Sequence, residues 1–160
     1  MEINKSDLYP KNLEKDVSIL VGKIITNIEV SDGKTILLFT TSDDKFYKMY
    51  HEQDCGEDIY LEDVNGDMAD LIGVPLLIAE AISNNNKIPF VKGRNHCHID
   101  MASYTWTFFK FETSNGFVVL RWCGNSNGCY SEEVEFSEIS EKEIKRLRSV
   151  WGFKDISTLG

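Results

Sequence analysis

The sequence predicts an α+β protein in which a mainly antiparallel β-sheet of about six to eight strands is flanked by N- and C-terminal helices, with one face of the sheet covered. Short runs of β-branched and aromatic residues, the turn signals between them, and helical spacing confined to the two ends support this fold class. With 160 residues, of which 42% are hydrophobic, the chain is long enough for one well-packed domain. We expect a single domain over 1–160, with a polar lead-in and short helix at 1–22, a β-rich body at 23–137, a helix at 140–152 and a tail at 153–160.

The N-terminal helix is predicted from apolar residues at helical spacing, Leu13, Val17, Leu20 and Val21, with Gly22 as its stop. A strand meander follows, because an Asp-Gly pair is typical of a hairpin turn between two strands. The predicted strands of this first half are 24–30, 35–40, 45–51 and 59–64.

The segment 75–82 is short enough to be either a buried strand or a short helix. We favour a strand because Gly73 and Pro75 interrupt regular structure at its start. Residues 88–100 carry a proline, a glycine and two histidines, and they indicate an irregular excursion.

The second half predicts a hairpin around an Asn-Gly turn, followed by a loop, a last strand and a helix. The capping box Ser140-x-x-Glu143 opens this helix, and its apolar face carries Ile144, Leu147 and Trp151. The hairpin strands are predicted at 104–112 and 117–123, the loop at 124–128 and the last strand at 132–136.

Acidic residues outnumber basic ones, 26 against 17, for a formal net charge of −9. A field of this sign repels phosphate backbones, so we expect no nucleic-acid polymer as a partner. An acidic surface can instead cover a basic groove on another protein.

The N-terminal residues lack the apolar core of a signal peptide, and the longest mostly apolar run, 71–82, is interrupted by Pro75 and Glu80. These features predict a cytoplasmic protein without a membrane partner. In that compartment the four cysteines are expected to be thiols. They are Cys55, Cys97, Cys123 and Cys129.

The first candidate site is the stretch 50–57, where a predicted strand enters a loop rich in polar side chains. As ligand contacts we single out His51, Gln53, Asp54 and Glu57. If the protein is an enzyme, His51 with Asp54 and Glu57 suits general base chemistry, and Cys55 beside His51 suits a nucleophile pair. A structural role is the alternative, in which these side chains satisfy backbone groups of the loop.

The second candidate site is the stretch 121–130, where Arg121 and Trp122 precede a loop of amides and glycines. A guanidinium suits a phosphate or carboxylate, and aromatic rings suit a planar base. Strand alternation places Val119, Arg121 and Cys123 on one face, opposite Trp122. Two alternatives are a plain hairpin loop and an Arg121 paired across the sheet with Glu112 or Glu133. The predicted ligand contacts are Arg121, Trp122, Asn125, Asn127 and Tyr130.

We expect no metal and no cofactor. His96-Cys97-His98 lacks the spacing of a standard zinc site with the other cysteines. The run Asp63-x-Asn65-x-Asp67 begins like a calcium loop, but Gly66 and Val74 stand at the wrong positions for one. No phosphate-binding loop, dinucleotide fingerprint or nucleophile elbow is present.

Two motifs, YHEQDC-x-E at 50–57 and RW-x-G-x-SNG-x-YSE at 121–132, occur in a specific order and spacing. Together with 59–63, 66–67, 70–73, 105–110 and 119–122, they make the chain from about 22 to 136 resemble a domain of unknown function found in phage and prophage proteins. The family has Asp-Cys-Cys-Glu where this chain has Gly56 after Cys55, which weakens any role that needs paired thiols.

The resemblance implies a phage-associated protein in the cytoplasm of a bacterial host, and it brings no established activity. We expect a non-enzymatic accessory binding protein, homo-oligomeric, that acts against a host defence. It either sequesters a small anionic, nucleotide-like ligand or blocks a host defence protein with its acidic surface. The alternatives are a small hydrolase or transferase using the loop from His51 to Glu57, and a structural virion or accessory protein.

Overall fold

In the computed structural model the described residues are 13–14, 16–51, 57–84, 103–126 and 134–156. They form ten strands, one α-helix and two 3₁₀ helices. The strands are β1 (Leu13–Glu14), β2 (Ile25–Ser31), β3 (Ile36–Thr41), β4 (Phe46–Tyr50), β5 (Glu57–Asn65), β6 (Ile78–Asn84), β7 (Ser103–Thr113), β8 (Gly116–Ser126), β9 (Glu135–Ile139) and β10 (Phe153–Asp155). The helix α1 spans Glu141–Val150, and the 3₁₀ helices span Val17–Leu20 and Met68–Leu71.

The strands form two antiparallel sheets. The six-stranded sheet has the order β1-β9-β4-β3-β2-β10, and the four-stranded sheet has the order β5-β8-β7-β6. The two predicted hairpins, β2 with β3 and β7 with β8, are confirmed and lie inside these sheets. The mainly antiparallel fold class is therefore confirmed, while the ten strands of the described residues exceed the expected six to eight.

One apolar core lies between the two sheets, which pack face to face. Alternate residues of each strand point into this core, as the period of a strand requires. Phe39 of the six-stranded sheet meets Phe111 of the four-stranded sheet, with ring centroids 6.1 Å apart. Tyr47 stacks on Phe136 at 5.4 Å between centroids. Each large side chain buried in this way contributes about 1.5–3 kcal/mol.

Helix α1 covers the other face of the six-stranded sheet. Ser140 caps it, since its hydroxyl oxygen accepts a hydrogen bond from the backbone N–H of Glu143 at 3.1 Å, as the capping box predicts. Ile144 and Leu147 pack against Leu38. Within the described ranges, no helix has the length and apolar character needed to span a bilayer.

Trp151 does not lie on the apolar face of α1, so that expectation is wrong. It is the C-cap residue, its backbone is extended, and it is 47% exposed. Because the helix ends at Val150, the next side chain leaves the helical spacing that places Ile144 and Leu147 on the sheet.

The expected single sheet with an N-terminal helix is also wrong. Leu13 pairs with Glu138 in β1, and only Val17–Leu20 form a short turn of 3₁₀ helix. The apolar residues at its two ends are buried because residues three apart lie on one side of such a turn. The chain then turns away, since the backbone N–H of Gly22 donates to the carbonyl of Leu76 at 2.7 Å.

Two strand boundaries differ from the prediction in ways that affect the site. β8 continues to Ser126, because Gly124 still pairs with Ile59 on one side and Thr105 on the other. The loop predicted from residue 124 therefore begins later, and Arg121 lies inside a central strand rather than at its end. The favoured strand at 75–82 is confirmed as β6, which begins at residue 78.

Candidate functional site

The face of the four-stranded sheet that points away from the core, here called the outer face, carries Arg121. Leu120 and Trp122 of β8 point into the core and are fully buried, so Arg121 and Cys123 point to the outer face. This confirms the predicted alternation along β8.

Strand register places Arg121 in a row of four residues that crosses the whole sheet. Arg121 is the register partner of Asp63 on β5 and of Phe108 on β7, and Phe108 is in turn the partner of Ile82 on β6. Directly opposed residues share a face of the sheet. The row therefore joins an exposed carboxylate, a guanidinium, a half-buried ring and an aliphatic side chain that is 59% exposed.

Neighbouring residues hold the guanidinium of Arg121 in place, and part of the side chain remains exposed to solvent. Its Cζ lies 5.2 Å from the ring centroid of Trp106, within the range of a cation–π interaction. Its Nη2 donates to Oε1 of Glu62 at 3.4 Å, a single long contact rather than a bidentate one. Its Nε is buried and donates to no atom in the described part of the chain, while the side chain as a whole is 38% exposed.

A bulge in β5 explains why Glu62 reaches Arg121. The register shifts between Leu61 and Asp63, so that two residues of β5 oppose one of β8. The extra residue is Glu62, and its side chain is almost fully buried beside the guanidinium. The cross-sheet partner of Arg121 is therefore Glu62 and not Glu112, one of the two expected partners; the other, Glu133, lies outside the described residues.

A second row lies beside the first and consists of Tyr60, Cys123 and Trp106, which pack together with Phe108. Burial raises the pKa of Tyr60, and the negative charges of Glu62 and Asp58 raise that pKa further. The outer face is thus aromatic and carries more negative than positive charge around Arg121.

Cys123 is fully buried and disulfide-bonded. The expectation that every cysteine is a thiol is therefore wrong for this one. It followed from the predicted cytoplasmic compartment, and the compartment does not show which cysteines the fold brings together. The other three cysteines, Cys55, Cys97 and Cys129, lie outside the described residues.

The two stretches predicted as candidate sites meet at one end of the four-stranded sheet. Glu57 pairs with Ser126, and Asp58 with Asn125, so their backbones are neighbours. His51 is half-buried and follows β4 in the other sheet. Trp122 points into the core, so it does not share a surface with Arg121. The remaining predicted contacts lie outside the described residues: Gln53, Asp54, Cys55, Asn127 and Tyr130.

Trp106, Phe108 and Glu62 also belong to the site, although none of them was singled out from the sequence. The alternation of β7 contains a signal for the first two, because Trp106 and Phe108 share one face of a strand that pairs with β8 in a predicted hairpin. Nothing in the sequence shows the bulge that brings Glu62 to Arg121.

Among the described residues, every pKa that departs from its ordinary value moves away from neutral pH. A hydrogen bond to Asp43 raises the pKa of Lys23, and the same bond lowers the pKa of Asp43. Burial raises the pKa of Tyr47, and hydrogen bonds from Arg146 lower the pKa of Glu143. A general acid or base works best with a pKa near the operating pH, so these groups suit structural charge pairs.

The described residues include no group of three or more His, Cys, Asp or Glu side chains arranged to hold a metal ion. In the described part of the chain, the outer face presents a guanidinium, carboxylates and aromatic rings. Such a set recognises a ligand by charge, hydrogen bonding and stacking.

Fold and site together define a two-sheet antiparallel β protein with a charged and aromatic outer face. Residues 18–136 match the model of a family described as a domain of unknown function (DUF7448), and the chain belongs to that family. Comparison with curated proteins and comparison with solved structures find no match.

Proposed function

We propose that this protein is a non-enzymatic binding protein that holds a small anionic, nucleotide-like ligand on the outer face of its four-stranded sheet. The observation that carries the proposal is the position of Arg121, which rests against Trp106 and lies beside Phe108 with its outer end open to solvent. A guanidinium supported by an indole and flanked by a second ring presents both charge and an aromatic surface.

The support under Arg121 matters because binding is favoured when the binding group is already in place. The contact with Trp106 and the hydrogen bond to Glu62 restrict the side chain before any ligand arrives. Less rotamer freedom is then lost on binding, a cost of about 0.5–1.5 kcal/mol for a freely moving side chain.

A hydrolase or transferase that uses His51, Asp54, Cys55 and Glu57 is the alternative, and turnover of the bound ligand is its test.

A second binding mode, the blocking of a host protein, is favoured by a different feature. A cavity of about 640 Å³ at the start of α1 is lined by three carboxylates and one lysine, Lys45, together with Phe46, Ile139 and Ser140. The carboxylates belong to Asp44, Glu138 and Glu141. Together with the net charge of −9, this surface suits basic side chains of a partner.

The biological setting that we propose is a phage or prophage protein that acts against a host defence in the bacterial cytoplasm. It is supported by the resemblance of 22–136 to phage and prophage proteins. Homo-oligomerisation belongs to the same proposal, and light scattering of the purified protein tests it.

The decisive experiment combines ligand identification with one pair of variants. Protein purified from a bacterial host is denatured, and the released small molecules are identified by mass spectrometry. Their binding to Arg121→Ala is then compared with Lys110→Ala, which removes an exposed positive charge from the neighbouring strand.

We expect Arg121→Ala to weaken binding at least tenfold, because a hydrogen bond to a charged group contributes about 1.5–3 kcal/mol. Lys110→Ala should bind like the wild type. Equal binding by all three proteins would show that the outer face is not the site. Conversion of the released molecule by the wild-type protein would favour the enzyme.

A further inference from the structure

We infer that Arg121 receives the planar base of a nucleotide-like ligand and not its phosphate groups. The inference rests on the proposed function, and it names the part of the ligand that the outer face recognises. Two observations carry it: which charges surround the guanidinium, and which apolar side chains lie next to it.

Part of the donor set of the guanidinium is already committed. A bidentate grip uses one N–H from each of two nitrogens on one edge, either Nε with Nη2 or Nη1 with Nη2. Nε is buried, so the Nε–Nη2 edge is closed to a phosphate, and one of the two N–H groups of Nη2 donates to Glu62. The N–H groups of Nη1 and the second N–H of Nη2 are left for a ligand, and the charges and side chains around them decide which part of a ligand they suit.

The surrounding charges also oppose a phosphate. Glu62 is in contact with the guanidinium, and Asp63 is its register partner on β5. Asp58 lies farther along the same strand, where its charge acts together with that of Glu62 on Tyr60. Three carboxylates against one guanidinium give a local field that repels a multiply charged group.

The apolar neighbours favour a flat ring. Trp106 occupies one side of the guanidinium, and Phe108 continues the row toward Ile82, which is 59% exposed. A nucleobase has a π-face that stacks on guanidinium and aromatic groups. A purine base also offers ring acceptors such as N7, which accept hydrogen bonds from guanidinium N–H groups.

The test measures binding of adenosine, guanosine, their triphosphates and inorganic pyrophosphate to the full chain by calorimetry. We expect at least one nucleoside to bind within tenfold of its triphosphate, and pyrophosphate not to compete with it. Arg121→Lys keeps the charge but loses the planar group, so it should weaken nucleoside binding about tenfold. Matching unfolding curves for variant and wild type ensure that the comparison is between folded proteins.

Two results overturn the inference. A triphosphate that binds more than tenfold tighter than its nucleoside and is displaced by pyrophosphate would show phosphate recognition, and it would leave the proposed function standing. If none of these probes binds, both the inference and the proposed function fail for purine nucleotides. Glu62→Gln gives an independent check, because removing one of the carboxylate charges beside the guanidinium should raise the affinity for pyrophosphate above that of the wild type.

Discussion

Gly66 is the position where one added methyl group should most directly disturb the strands that carry the site. It follows β5 directly, its φ is +114°, and a Cβ built there would lie 2.6 Å from the carbonyl oxygen of Phe117 on β8. The same Cβ would lie 3.2 Å from Cα of Val118. Both contacts are with backbone, so relief requires movement of a strand.

The expected cost of Gly66→Ala has two parts. A non-glycine residue held at this φ costs about 1–3 kcal/mol. Forcing the two backbones apart costs about 1–3 kcal/mol more, by analogy with an overpacked core. The sum of about 2–6 kcal/mol corresponds to a fall in Tm of about 4–24 °C for a chain of this size.

Gly73→Ala is the matched control. Its φ is +85°, and no atom lies within 4 Å of its Cβ position, so it carries the conformational cost without the contact. Urea unfolding of both variants, followed by tryptophan fluorescence at a fixed redox state, measures the difference in free energy of unfolding. We expect Gly66→Ala to be less stable than Gly73→Ala by about 1–3 kcal/mol. Equal stabilities would refute the close approach of residue 66 to β8.

Three further predictions concern other parts of the chain. Hydrogen bonds from Arg146 lower the pKa of Glu143, so this carboxylate should stabilise the fold above its unfolded pKa and lose that effect as the pH falls through the lowered folded value. Glu143→Gln should therefore reduce the loss of stability at acid pH in a curve of unfolding free energy against pH. An unchanged acid side of that curve would contradict the pairing. Trp151→Ala should change the free energy of unfolding by less than about 1 kcal/mol, because Trp151 is half-exposed, and a larger loss in urea unfolding would place it in a packed site. Cys123 should resist alkylation in the native and the denatured protein until a reductant is added, and labelling of Cys123 without reductant, read by peptide mass spectrometry, would exclude the disulfide.

Features encoded within a few neighbouring residues were predictable from the sequence. The hairpin of β7 and β8 follows from an Asn-Gly signal between two β-rich runs, and the start of α1 follows from the Ser140 capping box. The faces of β8 follow from alternation alone. In each case the residues that decide the structure are close together in the chain.

The number of sheets was not predictable in this way. Leu37 and Phe39 alternate with Leu38 on β3, and both faces of that strand are buried, one by the second sheet and one by α1. Alternation shows that a strand has a buried face, but it does not show what covers it. The prediction of an N-terminal helix was wrong for the same reason, since Leu13 pairs in a strand with Glu138, which is distant in the sequence.

The candidate site shows the same division between local and distant information. Arg121 attracts attention in the sequence because a guanidinium near the end of a predicted strand suits an anion, yet its chemistry is decided by residues from two other strands. The bulge brings the carboxylate of Glu62 to one N–H of Nη2, and the register with β7 brings in Trp106 and Phe108. A register slip of one residue would exchange the faces of β7 and replace these rings beside Arg121. The recognition that we propose for the outer face therefore depends on strand register more than on the presence of an arginine. The folded surroundings of Arg121 are the reason why we infer the binding of a base where the sequence first suggested a phosphate.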